Sequence, residues 1–516
     1  MNRLPKVIEG DRIADAVFLP LMGVAQAVAI GIGAFATRDA FTALHAGMPP
    51  DLSTLTRLFL AGFVAAGLEY LLRMRAEALG QSYAAALRLK LFDHISGMPR
   101  RALETRRLGG LSLRFVGDLS TARNWFGQGL PGIISAIAIL PGAAFVLWLL
   151  SPALALASVL PLSLSLIGMA LAALGLEARH RRLRSKRANI SIQMMERIAI
   201  SPELDLIGRT DKELRELDKN SKQLRQDAMA RLGLSGTLRL FPQIGAACAG
   251  CAVFGVAGGI GVAPGVVAAS LAVLALLAAP LLTLAEAWDQ FCAWRIARQK
   301  LETLLSQPSK RRIVVAIGHA PRVSISGSLV EREVQAGATV LIDGLRGAGK
   351  SRLASVLAGL DDDAQINVRF ENMAGRQPKT AYIGANPVTL QGSLRRALTL
   401  GHSSRPDRIA VRDAARDFGL RRLLRRIGGT NGRIAEGGRN LSVGESLRFD
   451  FARALLGQPD LIVIDTSRFW ADPNHQSLFQ KLRDGTDATI FVTGPPLSDL
   501  HFDTTITLSR AEQAAA

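Results

Sequence analysis

Gly344-Leu345-Arg346-Gly347-Ala348-Gly349-Lys350-Ser351 fits the pattern G-x-x-x-x-G-K-[ST], a phosphate-binding P-loop. The residues before it, Ala338-Thr339-Val340-Leu341-Ile342-Asp343, read as a short buried strand. Those after it, Arg352-Leu353-Ala354-Ser355-Val356-Leu357-Ala358, read as a helix with an apolar face. Strand, loop and helix in that order are the context the motif requires. The glycines let backbone N–H groups close around phosphate oxygens, and the helix N-terminus adds the positive end of its dipole. Gly344, Gly347, Ala348, Gly349, Lys350, Ser351 and Arg352 are therefore the candidate nucleotide-binding residues. Lys350 would reach the terminal phosphates, and the Ser351 hydroxyl would help to hold Mg2+.

Outward from this loop, a chain of 516 residues predicts two or more domains. It is 49% hydrophobic but only 5% aromatic, and most of its apolar residues cluster before residue 300. A formal charge of +19 suggests either a nucleic-acid partner or a membrane. The basic residues flank long apolar runs and no nucleic-acid-binding motif accompanies them, so the charge reads as membrane topology. Of the three cysteines, Cys248 and Cys251 have C-x-x-C spacing inside an apolar run, with no second ligand pair; they and Cys292 read as small apolar side chains. The N-terminus shows no signal-peptide cleavage pattern, so the first apolar run is expected to be a retained span.

Runs of about 20 apolar residues cross a bilayer. Six are predicted, at 14–36, 56–76, 132–150, 153–176, 240–262 and 264–286. Arg3 and Lys6 precede the first; Arg88, Lys90, Arg100, Arg101, Arg106 and Arg107 follow the second; a basic segment from Arg179 to Arg187 follows the fourth. The loops at 37–55, at 151–152 and near Pro264 carry almost no Lys or Arg. This asymmetry places both termini in the cytoplasm of a multi-pass protein of the cell (inner) membrane. Residues 77–130 and 177–239 keep helical spacing, as in Leu214, Leu217, Leu224 and Met229, and read as spanning helices that continue into the cytoplasm. Gly97-Met98-Pro99 and Ile200-Ser201-Pro202 mark the turns.

Glu69 and Arg73 share a helix face and read as a structural pair; Glu286 and Asp289 stand where the sixth span leaves the membrane. Residues 290–315 read as a polar stretch ending past Lys310-Arg311-Arg312. Short strand-like runs then alternate with helices, an α/β pattern.

In that second region Asp460-Leu461-Ile462-Val463-Ile464-Asp465 reads as an apolar strand ending in an acid, which places the Asp465 carboxylate beside the P-loop Mg2+. Upstream stands Leu441-Ser442-Val443-Gly444-Glu445, followed by Arg448 and by Ala452-Arg453-Ala454-Leu455. This segment resembles the signature of ATP-binding-cassette (ABC) proteins, LSGGQ-x-x-R-x-x-x-ARAL, with Val443 and Glu445 as departures. The step from Leu441 to Asp465 is similar too. Six spans joined to a C-terminal cassette resemble the half-transporter exporters, and residues 110–118 resemble their first cytoplasmic loop region. The resemblance implies a membrane α-helical bundle at 1–300, a linker at 301–315 and an α/β P-loop NTPase cassette at 316–516. It implies ATP and Mg2+ as cofactors, with Ser351 and Asp465 on the metal. It also implies that Ser442 and Gly444 clamp nucleotide held by the other cassette of a dimer, and that Glu436 contacts the transmembrane part. As a turn at a helix N-terminus, the segment has the donors for that clamp.

The departures bear on the chemistry. Where the family has Glu after the strand-end Asp as general base, this chain has Thr466, whose hydroxyl lacks the basicity for that role. Gly494 stands at the family's switch histidine, and Ala385, in Tyr382-Ile383-Gly384-Ala385-Asn386-Pro387, at its glutamine. No aromatic in 323–329 offers itself to adenine, and about 34 residues separate Ser351 from Ala385, a short cassette. No catalytic residue is therefore expected at this chain's own site. Three readings are open: the degenerate half of a heterodimeric ABC exporter, favoured over a slow homodimer, and a pseudo-ATPase membrane protein in which nucleotide regulates assembly or signalling. The cargo stays open, and the short N-terminus argues against an attached processing peptidase.

Overall fold

The structure, a computed structural model, describes residues 4–508 apart from 107, 310–312, 316–317, 329, 372, 374–375, 386–387, 403–405 and 496–499. Arg3, Arg107, Lys310, Arg311, Arg312, Leu329, Asn386 and Pro387 thus lie outside the described residues. Two compact units are present: Met1–Ser96 with Thr105–Pro308, and Gly97–Glu104 with Ser309–Ala516.

Among the described residues, the first unit has six helices long and apolar enough to cross a membrane: α1 (Arg12–His45), α2 (Leu52–Ser96), α3 (Gly110–Leu150), α4 (Pro152–Ala199), α5 (Thr210–Ile260) and α6 (Pro264–Leu305). At 1.5 Å per residue, the 45 residues of α2 and the 51 of α5 reach roughly twice the ~30 Å of a hydrocarbon core. The spans therefore do continue beyond the membrane, and α2 and α4 stop at the two helix-breaking segments. Two boundaries differ from the sequence reading. α1 runs to His45, so much of 37–55 is helix. α6 runs to Leu305, so residues 290–305 are helix rather than polar linker. Cys292, Ile296, Leu301 and Leu305 recur at helical spacing and are buried, while Arg298 and Glu302 pair on the exposed face.

Outward-facing apolar residues such as Phe59, Phe63, Leu160 and Phe254 give the helices a lipid-compatible surface. Inside, small residues let helices approach. A Cβ on Gly80 of α2 would stand 2.6 Å from the Arg123 carbonyl oxygen and 2.7 Å from the Gly127 Cα, both on α3. The intramembrane charges are paired, as a structural role requires. Arg73 Nε donates to Glu69 at 2.7 Å, and Gln26 donates to the other Glu69 oxygen at 3.1 Å. Asp289 lies 2.7 Å from His180 Nε2 and accepts from Arg231 at 3.0 Å, and Glu286 stands 3.6 Å from Arg239. Cys248 and Cys251 are exposed on α5, and Cys292 is buried.

The second unit is the α/β domain. In chain order its principal strands are β1 (Val323–Gly327), β2 (Arg332–Val334), β3 (Thr339–Gly344), β4 (Ile366–Phe370), β5 (Thr380–Ile383), β6 (Leu461–Ile464), β7 (Thr489–Thr493) and β8 (Thr504–Leu508). β2, β1 and β4 form an antiparallel sheet. The main sheet is parallel, in the order β8-β3-β7-β6-β5. Its central strands β3, β6 and β7 are buried on both faces: Leu461 and Val463 pack with Val340, Ile342 and Phe491, whereas Ile462 and Ile464 pack on the other side with Ile490 and Val492. Such a sheet collects its loops at its carboxyl edge, where the ends of β3, β5, β6 and β7 stand side by side.

The Gly80 contact can be tested in the detergent-extracted protein. Gly80→Leu is expected to destabilise the first unit by about 1–3 kcal/mol through overpacking. Gly62→Leu, with nothing within 4 Å of its Cβ position, is expected to leave the melting midpoint unchanged. Thermal unfolding followed by fluorescence-detected size exclusion reads both.

Candidate functional site

β3 delivers the chain into the P-loop at Gly344, where a Cβ would stand 2.7 Å from the Leu508 carbonyl oxygen of β8. Gly349, at φ +97, occupies the left-handed region just before helix α7 (Lys350–Leu357); only glycine adopts that conformation without strain. Ala348 is buried and its N–H donates to Leu345 O at 3.1 Å. The Lys350 ammonium curls over the loop, donating to the carbonyls of Gly344 and Leu345. Arg352 points along the helix and forks onto Asp363, with a further bond to Gln365 at 3.1 Å. Arg352 is therefore committed to a carboxylate of its own domain rather than to the loop.

Asp465 comes directly after β6 and is held from three directions. Its Oδ1 accepts from Ser351 Oγ and from Thr493 Oγ1, each at 2.9 Å, and its Oδ2 accepts from Tyr382 OH at 2.9 Å. The P-loop helix and the ends of β7 and β5 thus converge on one carboxylate. The donor set fits Mg-nucleotide: a hydroxyl and a carboxylate, hard oxygens 2.9 Å apart, stand beside a glycine loop and a lysine. Bound there, Mg2+ would neutralise phosphate charge.

Ser442 caps helix α8 (Val443–Gly457) in a reciprocal capping box. The Glu445 N–H donates to Ser442 Oγ at 3.2 Å, and the Ser442 N–H donates to Glu445 Oε2 at 2.9 Å. Arg426 also donates to Glu445, at 2.7 Å. Partial burial raises the Glu445 carboxyl, but the bonds from Ser442 and Arg426 outweigh it and hold it below the ordinary glutamate value. The Glu445 departure thus serves the cap. Leu441 packs against the buried core, and Val443 and Glu436 are exposed.

Of the three positions that depart from the family pattern, Thr466 and Gly494 are taken up by structural contacts. Thr466 is buried and caps the short helix Ser467–Ala471, its Oγ accepting from the Arg468 N–H and from Arg468 Nε, both at 3.3 Å. Arg468 reaches on to Ser446 Oγ and Gly384 O, each at 2.5 Å, and to Asp450 at 3.3 Å. At Gly494 a Cβ would overlap the indole of Trp470 and stand 2.6 Å from its Cε2; that indole donates to Thr493 O at 2.8 Å. Ala385 is exposed. Sequence reasoning missed Tyr382, Arg468 and Trp470, whose roles depend on pairings across the sheet. It also missed the capping box, although S-x-x-E from Ser442 to Glu445 was there to be read.

With this geometry in place, comparisons with known proteins become informative. Residues 19–283 match the family described as the ABC transporter transmembrane region, and residues 328–467 match the ABC transporter cassette family. A Bacillus subtilis protein named as a probable multidrug resistance ABC transporter ATP-binding/permease protein, YheH, is 23% identical over 482 residues, covering 86% of this chain and 70% of that protein. A Mycobacterium bovis multidrug efflux ATP-binding/permease protein is 26% identical over 229 residues, 40% of this chain. The Haemophilus influenzae protein CydD, named for glutathione/L-cysteine transport, is 31% identical over 156 residues, 28% of this chain. Those two matches span about a fifth to a quarter of the relatives' own lengths, 19% and 26%. The solved structure of a bacterial Atm1-family ABC exporter with ATP bound shares the fold, with a TM-score of 0.80 at 18% identity over 96% of this chain and 93% of that one. Six span-capable helices followed by a cassette domain, matched by both family descriptions, make this chain a multi-pass inner-membrane member of the ABC transporter family.

Proposed function

We propose that this chain is one subunit of an ABC exporter, that it holds Mg-ATP at its own P-loop with little or no hydrolysis there, and that it pairs with a second cassette-bearing subunit to move a cargo by alternating access. The observation that carries the reading is the contrast at the end of β6. Asp465 keeps its bond to Ser351, while the next residue, Thr466, spends its hydroxyl on capping a helix. A general base must take a proton from the attacking water, and a threonine hydroxyl has no basicity for that at neutral pH. Gly494 and Ala385 bring no polar side chain to the site. A self-dimer would repeat these features at both composite sites, which favours a partner with an intact cassette. Ser442 and Gly444 would then complete the partner's site, with the Glu445 charge absorbed by Arg426 and the Ser442 N–H. Relatives named for efflux support the transport part of the reading.

The first test is the native mass of the tagged chain, extracted gently from its own membrane. A complex with a second, intact cassette subunit is expected; a self-dimer would overturn the pairing. In that complex, Lys350→Ala is expected to weaken binding of labelled ATP to this chain by about tenfold through loss of a charge-assisted contact, with partnered turnover changed only modestly. Ser442→Ala and Gly444→Asp are expected to lower the partner's turnover by about tenfold or more, as removal of phosphate-facing donors does. Unchanged turnover would exclude a role in trans.

Reinstating the family residues one at a time is expected to fail for separate reasons. Thr466→Glu removes a helix cap and leaves Gly494 and Ala385 as they are, so no full hydrolysis returns. Gly494→His must displace the Trp470 indole and is expected to cost the cassette about 1–3 kcal/mol. The double change Gly494→His with Trp470→Ala should recover part of that loss, read as the melting midpoint.

A further inference from the structure

The short helix Arg100–Glu104 comes after α2 in the chain, joined to it by Gly97-Met98-Pro99, yet residues 97–104 belong to the second unit. Its first turn is anchored through the backbone. The Arg100 N–H donates to Leu360 O at 3.0 Å, and the Arg101 N–H donates to Asp361 Oδ1 at 3.0 Å. The two arginine side chains then diverge. Arg101 stands 3.8 Å from Asp363, the carboxylate that also holds Arg352. Arg100 lies over the ring of Tyr382, with its guanidinium carbon 5.2 Å from the centroid. Tyr382 is the residue whose hydroxyl donates to Asp465 Oδ2.

We propose that Tyr382 and Arg100 are positioning residues for the metal-binding carboxylate: Tyr382 fixes Asp465 from the side opposite Ser351, and Arg100 strengthens that grip through the phenol. This rests on the reading of the P-loop as a Mg-nucleotide site.

A carboxylate at a strand end can rotate, and a donor on Oδ2 leaves Oδ1, the oxygen bonded to Ser351, directed at the metal position. The phenol is placed to donate there, with its hydroxyl 2.9 Å from Asp465 Oδ2. A guanidinium over the ring also draws electron density from the phenol and makes its O–H a better donor. Ala385, at the position where the family resemblance places a metal-ligating glutamine, brings no polar group, so this route supplies an order that side chain cannot.

The test uses the full chain in its native complex and titrates Mg2+ against binding of labelled ATP, with a parallel titration in EDTA. Wild type is expected to bind ATP more tightly with Mg2+. Tyr382→Phe is expected to raise the Mg2+ needed for half-maximal binding by about tenfold, the worth of one hydrogen bond to a charged group, with the affinity in EDTA unchanged. Arg100→Ala should raise it by about threefold, a cation–π effect. The double variant should match Tyr382→Phe alone, since Arg100 acts through the phenol. Arg101→Ala, which does not touch Tyr382, should leave the Mg2+ dependence as in wild type. Unchanged Mg2+ dependence in Tyr382→Phe, or additive losses in the double variant, overturns the positioning roles while leaving the nucleotide site standing. Absence of Mg2+-dependent binding by wild type overturns both.

Discussion

The carboxylate of Asp465 is the point on which the second unit turns. It stands at the carboxyl edge of a parallel sheet whose central strands are buried on both faces, where an unpaired charge is costly. Three hydroxyls meet that demand: Ser351 from the P-loop helix, Thr493 from β7 and Tyr382 from β5. The same bonds that satisfy the charge fix the loop, two strand ends and the helix relative to one another. Any reading of nucleotide chemistry in this chain therefore passes through one side chain and its three donors.

The segment immediately after Asp465 is taken up by structural contacts. Arg468 ties it to Ser446, Gly384 and Asp450, and Asp450 is nearly inaccessible. Burial pushes the Asp450 carboxyl above its ordinary value, against the pull of Arg453 and Arg468. A buried acid with two arginines around it is stable only while its partners stay in place. Trp470 adds an indole against Gly494 and bonds to the end of β7. Phe469 packs edge-on to that indole and against Phe451 and Phe479. The positions that would bear a base and a switch side chain are thus embedded in a packed aromatic and ionic cluster. Substitution at one of them disturbs several neighbours at once.

The first unit obeys a different logic. Its helices carry apolar residues outward and small residues inward, so close backbone approach, as at Gly80 and Gly127, takes the place of a wide hydrophobic stripe. Charges at its spans are paired, Glu69 with Arg73 and Asp289 with His180 and Arg231. Both units settle buried polarity locally, one by helix-face pairs and one by strand-end hydroxyls.

The sequence by itself determined the six spans, their orientation, the P-loop, the signature and Asp465. Each of these is written in local periodicity, charge asymmetry or fixed spacing, which survive without knowledge of distant contacts. It also put Thr466, Gly494 and Ala385 at the positions where the family resemblance places a base, a switch histidine and a glutamine, since residue identity needs no coordinates. It misjudged where α6 ends, because charged residues on one helix face masked the buried face of Ile296, Leu301 and Leu305. Tertiary structure alone decided what the substituted positions do. Thr466 became a cap, Trp470 came to lie against Gly494, and Tyr382 met Asp465 from 83 residues away. It likewise decided that Arg100 stands over Tyr382, although the two are far apart in the chain. The physical reason is that parallel strands pair across long connections, so neighbours at the carboxyl edge are set by sheet order, which no local pattern encodes.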